Sequence, residues 1–94
     1  MGIPLKDAEV DKALSSLAYW HRVGTTIERD FHFDDFLIAI KFVNRIAEIA
    51  EESNHHPDIV INFNKVKLIL TSHDSGGITQ RDVNLATKVN KLSL

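Results

Sequence analysis

Residues 51–73 read EESNHHPDIVINFNKVKLILTSH, and this stretch decides how the chain is organised. A helical segment ends at its start, because Asn54 suits a helix C-terminus and Pro57 forces His56 out of helical geometry. Beyond the proline, Ile59, Ile61 and Phe63 alternate with Val60, Asn62 and Asn64. After a tight connection near Asn64-Lys65, Val66, Leu68 and Leu70 alternate with Lys67, Ile69 and Thr71. A period of two on both sides of a turn predicts two antiparallel strands. His55 and His56 then stand at a helix exit, and His73 at the far end of the second strand, on its polar parity.

Working outward, Asp74-Ser75-Gly76-Gly77 is a turn whose glycines permit positive φ. Thr79-Gln80-Arg81-Asp82 has capping-box spacing, and Val83, Leu85, Ala86, Val89 and Leu92 continue a helical pattern behind it. Upstream, residues 35–52 form a long helix, with Asp34 as cap and Phe33 and Ile38 as a hydrophobic staple. Its apolar stripe (Phe36, Ala39, Ile40, Val43, Ile46, Ala47, Ala50) is widened by Ile38, Phe42 and Ile49. A stripe that broad implies either deep burial or a contact between subunits, and so short a chain favours the contact.

Tyr19–Val23 and Thr26–Phe33 flank Gly24-Thr25 and predict a hairpin, with Ile27, Phe31 and Phe33 on one buried parity. Arg29 falls on that apolar parity, either as an edge position with a snorkelling stem or as a contact to a ligand or partner. Asp7 caps a short first helix over residues 8–17, where Val10, Ala13, Leu14 and Leu17 recur at helical spacing. The order is α-ββ-α-ββ-α.

The bulk numbers narrow the function classes. Ninety-four residues predict one domain, 1–94. A net charge of −2 without a basic stripe gives no support for nucleic-acid binding. Apolar runs are far too short for a membrane span. The absence of cysteine removes disulfides and thiolate chemistry. The opening MGIPLKDAEV has neither the cationic start nor the apolar middle of a secretory signal, so a cytoplasmic protein is expected.

Imidazole exchanges protons near neutral pH, so three histidines in one stretch point to acid–base chemistry, against the plain alternative of polar loop residues. Glu51 precedes His55 by four residues and would orient that ring if the helix persisted so far. Adjacent histidines followed by proline match no usual zinc spacing, and the diglycine turn lacks the lysine of a phosphate loop. No metal and no cofactor is expected. Asp82 reads as a capping carboxylate or a reactive one, and Trp20 as core, pocket wall or stacking surface.

Glu51-x3-His55-His56-Pro57-Asp58, Asn64-Lys65-Val66, Thr71-Ser72-His73, Gly76-Gly77-Ile78-Thr79 and Asp82-x2-Leu85-Ala86 together resemble the pterin-4a-carbinolamine dehydratase family. Trp20 and Ile27-x-Arg29-x-Phe31-x-Phe33-x-Asp35-Phe36 match the same pattern upstream, and many members reverse the two hydroxyl residues before His73. The resemblance implies an α+β fold, with helices packed on one face of a four-stranded antiparallel sheet, and a homodimer or homotetramer. It also implies a hydro-lyase that dehydrates 4a-hydroxytetrahydropterin to quinonoid dihydropterin. His55 and His73 are then the acid–base residues and Glu51 their support, with His56, Ser72, Asp82 and Trp20 on the pterin. Animal members of the family also act as dimerisation cofactors of a transcription factor, so an interaction module is one alternative. A paralogue working on molybdopterin-related substrates is another.

Overall fold

The computed structural model describes residues 2–92. Its elements are α1 (Asp7–Leu14), β1 (His21–Val23), β2 (Thr26–His32), α2 (Phe36–Ser53), β3 (Asp58–Asn62), β4 (Lys65–Leu70), a one-turn 3-10 helix (His73–Ser75) and α3 (Gln80–Asn90). The four strands form one antiparallel sheet in the order β1-β2-β4-β3. The expected α-ββ-α-ββ-α order is therefore observed.

Register follows from the alternation. Ile27 pairs with Leu70, Arg29 with Leu68 and Phe31 with Val66, which puts one parity of both central strands against the helices. Ile27, Phe31, Val66, Leu68 and Leu70 are all buried there. From α2, Ala39, Phe42, Ile46 and Ala50 meet them at i, i+3, i+7 and i+11 spacing, and Leu85, Ala86 and Val89 of α3 close the core. Phe42 lies 4.5 Å from the Phe31 ring and 5.0 Å from Phe33, centroid to centroid.

Several boundaries differ from the sequence expectation. The cap of α2 is Asp35, not Asp34: its carboxylate accepts from the Ile38 amide at 2.9 Å, so the staple expected around Asp34 is out of register. The first helix begins on Asp7 and ends at Leu14, with Lys6 as N-cap, and Leu17 packs from the turn beyond it. Strand β1 is only three residues, because Tyr19 takes a positive φ of 74° and turns the chain off the sheet edge.

The wide stripe on α2 divides in two. Its middle is core, whereas Phe36, Leu37 and Ile38 at its start are exposed at 46%, 70% and 40%. Arg29 remains on the core parity, with its guanidinium lying 4.6 Å from the Tyr19 ring centre and 4.2 Å from that of Phe31. Its Nη1 donates to Asn90 Oδ1 at 2.5 Å, and burial draws the guanidinium pKa down from its ordinary value. Asn90 also accepts from Trp20 Nε1 (2.8 Å) and donates to the Ala18 carbonyl (3.0 Å). One amide thus ties the end of α3 to both β2 and the loop before β1. Among the described residues no helix is long and apolar enough to cross a membrane.

Candidate active site

The exit of α2 is made by Asn54 in the left-handed region (φ 50°, ψ 39°), a conformation asparagine tolerates better than most residues. The His55 amide bonds back to the Ala50 carbonyl at 3.2 Å, closing the helix end and reversing the chain. His55 is consequently turned inward and buried, while His56 stays exposed.

At the other end of the hairpin, β4 runs into Ser72, which forms an isolated bridge with Gly77. The residues between them make the turn His73–Ser75, closed by Gly76 at φ 79°. His73 is exposed at the head of that turn, and Ser72 is buried beneath it.

Asp82 joins the two segments. Thr79 caps α3, and Asp82 completes the capping box by accepting from the Thr79 amide at 2.9 Å through Oδ2. The same oxygen accepts from Ser72 Oγ at 2.9 Å, and Oδ1 faces His55 Nε2 at 2.5 Å. Ser72 Oγ is also 2.8 Å from Thr79 Oγ1. Asp82 is fully buried, so its carboxylate depends on these partners. An ionised carboxylate can only accept, which puts the ring proton of His55 on Nε2 and leaves Nδ1 as the nitrogen open to chemistry.

This pairing corrects one expectation. Glu51 does not orient His55. It bonds His56 Nε2 at 2.7 Å in an exposed pair. The i, i+4 relation fails because the left-handed Asn54 interrupts the helix before His55, and the reversal brings the next residue back over Glu51.

His55, Ser72 and Asp82 therefore share one hydrogen-bonded cluster, His73 follows Ser72 in the chain, and His56 with Glu51 adjoins on the surface. Trp20 is buried at the opposite end of α3: Asn90 lies eight residues beyond Asp82, about 12 Å at 1.5 Å per residue. Sequence reading missed Asn90 as a hub and Arg81 as a partner of Asp74; the Arg81-Asp82 dipeptide inside the capping box was the available signal. Among the described residues no group of three or more His, Cys, Asp or Glu is placed to hold a metal ion. A buried carboxylate behind an imidazole, with further imidazoles nearby, is equipped to move protons.

The profile of the family described as pterin 4 alpha carbinolamine dehydratase matches residues 3–92. The chain belongs to this family. A relative from Koribacter versatilis, provisionally named pterin-4-alpha-carbinolamine dehydratase, is 50% identical over 92 residues, covering 98% of each chain. One of the same provisional name from Thermomicrobium roseum is 47% identical over 89 residues, covering 95% of this chain and 96% of its own. Among solved structures, a transcriptional coactivator/pterin dehydratase from Brucella melitensis superposes with a TM-score of 0.88 at 35% identity, covering 93% of this chain and 95% of that one. A pterin dehydratase-like protein identified as a RuBisCO assembly factor in the alpha-carboxysome shares the fold, with a TM-score of 0.65 at 20% identity.

Proposed function

We propose that the protein dehydrates 4a-hydroxytetrahydropterin to quinonoid dihydropterin, as a step in tetrahydrobiopterin recycling in the cytoplasm. Membership of the family supports the reaction class, and the His55–Asp82 pair is the single observation that carries the assignment to this corner of the fold. In the reaction, the N5 lone pair expels the C4a hydroxyl as an acid protonates it, and a base takes the N5 proton. One water leaves, and neither a metal nor an organic cofactor is required.

Asp82 suits His55 to the role of base, because a carboxylate on one ring nitrogen stabilises the charge that arrives when the other is protonated. His73, exposed on its turn, then delivers the proton to the leaving hydroxyl. His56, held by Glu51, lies alongside to grip the pterin. Ser72 and Asp82 serve binding through His55, since both are buried. Trp20 stands apart from the set, bonded to Asn90 about 12 Å along α3 from Asp82. Positioned proton transfers of this type are worth about 10²–10⁴-fold in rate.

The test follows the loss of absorbance of freshly generated 4a-carbinolamine with and without the purified protein. Acceleration by wild type, with large losses in His55→Ala and His73→Ala at retained folding, is the expected result. No acceleration by folded wild-type protein would falsify the assignment.

A second reading, as an interaction module, is favoured by Phe36, Leu37 and Ile38 exposed together at the start of α2. It also accommodates the homodimer or homotetramer. Sedimentation of Leu37→Glu beside wild type tests it: a change to smaller species is expected, and identical behaviour counts against it.

A further inference from the structure

The turn that carries His73 is held by a charge pair that the proposed chemistry leaves unused. Arg81 Nη2 donates to Asp74 Oδ1 at 2.6 Å and reaches Ser75 Oγ at 3.4 Å. Asp74 follows His73 directly, and both lie in the His73–Ser75 turn. Arg81 comes from the first turn of α3, next to Asp82. Two successive residues of one helix end therefore hold the two histidine-bearing segments: Asp82 holds His55 and, through Ser72, the base of the His73 turn, while Arg81 holds Asp74 within that turn.

Stability does not account for this pair. The Arg81 and Asp74 side chains are 34% and 45% exposed, and ion pairs so placed contribute about 0–1 kcal/mol. Meanwhile Arg81 Nε, which is buried, has no hydrogen-bond partner among the described residues, so the side chain is held through its Nη2 end alone.

The turn needs an outside restraint. Its base is closed by Ser72 N to Gly77 O at 3.0 Å and Gly77 N to Ser72 O at 3.3 Å. Within it, only Ser75 N to Ser72 O at 3.0 Å, Gly76 N to His73 O at 3.3 Å and a long Ser75 Oγ to Asp74 Oδ1 contact at 3.5 Å are found among the described residues, and two glycines follow. The N-terminal arm supplies one restraint, with the Gly2 amide donating to Ser75 Oγ at 3.2 Å and Leu5 N to Ile78 O at 2.8 Å. Both of those bonds fall past Asp74. On the chain side before His73, Ser72 is fixed by Asp82, Thr79 and Gly77; on the side after it, the clamp from Arg81 holds Asp74.

We infer that Arg81 is a positioning residue, which by gripping Asp74 sets where the His73 imidazole stands relative to His55. The kinetic consequence rests on the dehydratase reading; the clamp itself does not. Misplacing a reacting group by about 1 Å can cost up to 10²-fold, so a loosened turn should show in turnover before it shows in binding.

The experiment compares wild type with Arg81→Gln, Asp74→Asn, Arg81→Lys and the double variant Asp74→Asn/Arg81→Gln, by steady-state kinetics and amide hydrogen exchange. Each of the first two is expected to lower kcat about tenfold, with KM within about twofold and the urea midpoint near wild type. The double variant should be no worse than the worse single, and Arg81→Lys should recover part of the loss, its ammonium still reaching Asp74 without the planar fork. Exchange at Ser75, Gly76 and Gly77 should quicken in Arg81→Gln. A raised KM at unchanged kcat would instead make Arg81 a substrate contact, and additive losses would mean independent roles; either overturns the inference. Unchanged exchange in Arg81→Gln overturns it whatever the activity. An inactive wild type with quickened exchange in Arg81→Gln sinks the dehydratase reading and leaves the clamp standing.

Discussion

His55 Nε2 and Asp82 Oδ1 stand 2.5 Å apart across 27 residues of chain, and both side chains are buried. The contact joins the exit of α2 to the first turn of α3, so the same carboxylate caps a helix and orients a catalytic candidate.

Asp82→Ala should be severely destabilising, by about 3–5 kcal/mol, because it strands the partners of a buried charge. Against a total of about 5–14 kcal/mol for a chain of this length, that consumes much of the fold's margin. Asp82→Asn separates activity from folding. Its Oδ1 can still accept from His55, but its amide then faces the Thr79 N–H, donor against donor. Urea denaturation should show a loss of about 2 kcal/mol, and turnover of the folded variant should fall by 10²-fold or more. Full activity in that variant would remove Asp82 from the mechanism.

Asn90→Ala tests the strut at the other end of α3. It removes the acceptor shared by Trp20 Nε1 and Arg29 Nη1, together with the donor to Ala18 O. A cost of about 1–3 kcal/mol is expected, with a shift of Trp20 fluorescence as the indole loses its partner. Because the strut lies about 12 Å from Asp82 along the helix, KM and kcat of the folded variant should stay near wild type.

Asp74 provides the pH prediction. The hydrogen bond from Arg81 holds its carboxyl below the ordinary 3.8. A carboxyl depressed in the folded state contributes stability above its unfolded pKa, and that contribution is lost as pH falls through the folded pKa. The window therefore lies below about pH 4, and the amount is small because the group faces solvent. Carboxyl carbon NMR should show Asp74 titrating below 3.8 in wild type and returning towards it in Arg81→Gln.

Gly76→Ala isolates backbone strain. At φ 79° a Cβ is disfavoured, yet nothing lies within 4 Å of where it would be placed. The expected cost is about 1–2 kcal/mol from the left-handed conformation alone. Asn54→Gly, at φ 50°, should by contrast be nearly neutral, since glycine enters that region freely. A destabilised Asn54→Gly with an unaffected Gly76→Ala would reverse this account of the two turns.

Legibility from sequence followed the range of the interactions. Alternation in residues 59–71, the helical period of 35–52 and the capping box at Thr79 are local, so they identified the strands, helices and order without coordinates, with ends within a residue or two of those observed. Caps were legible to within one residue, Asp35 for Asp34, because neighbouring carboxylates are equally able to cap in isolation.

What the chain by itself determined was its list of elements and the acid–base residue types, since both are written in spacing and side-chain chemistry. Which carboxylate serves which histidine was decided only on folding. Asn54 breaks the helix, so Glu51 falls to His56, and the packing of α3 delivers Asp82 to His55. The same packing puts Asn90 under Arg29 and Trp20, and Arg81 on Asp74. Arg81 and Asp74 are close in sequence, but the turn between them sets their approach. Glu51 and His56 are likewise close in sequence, and the left-handed Asn54 sets theirs; the remaining contacts span tens of residues, and no periodicity encodes a distance that only the assembled sheet and helices impose.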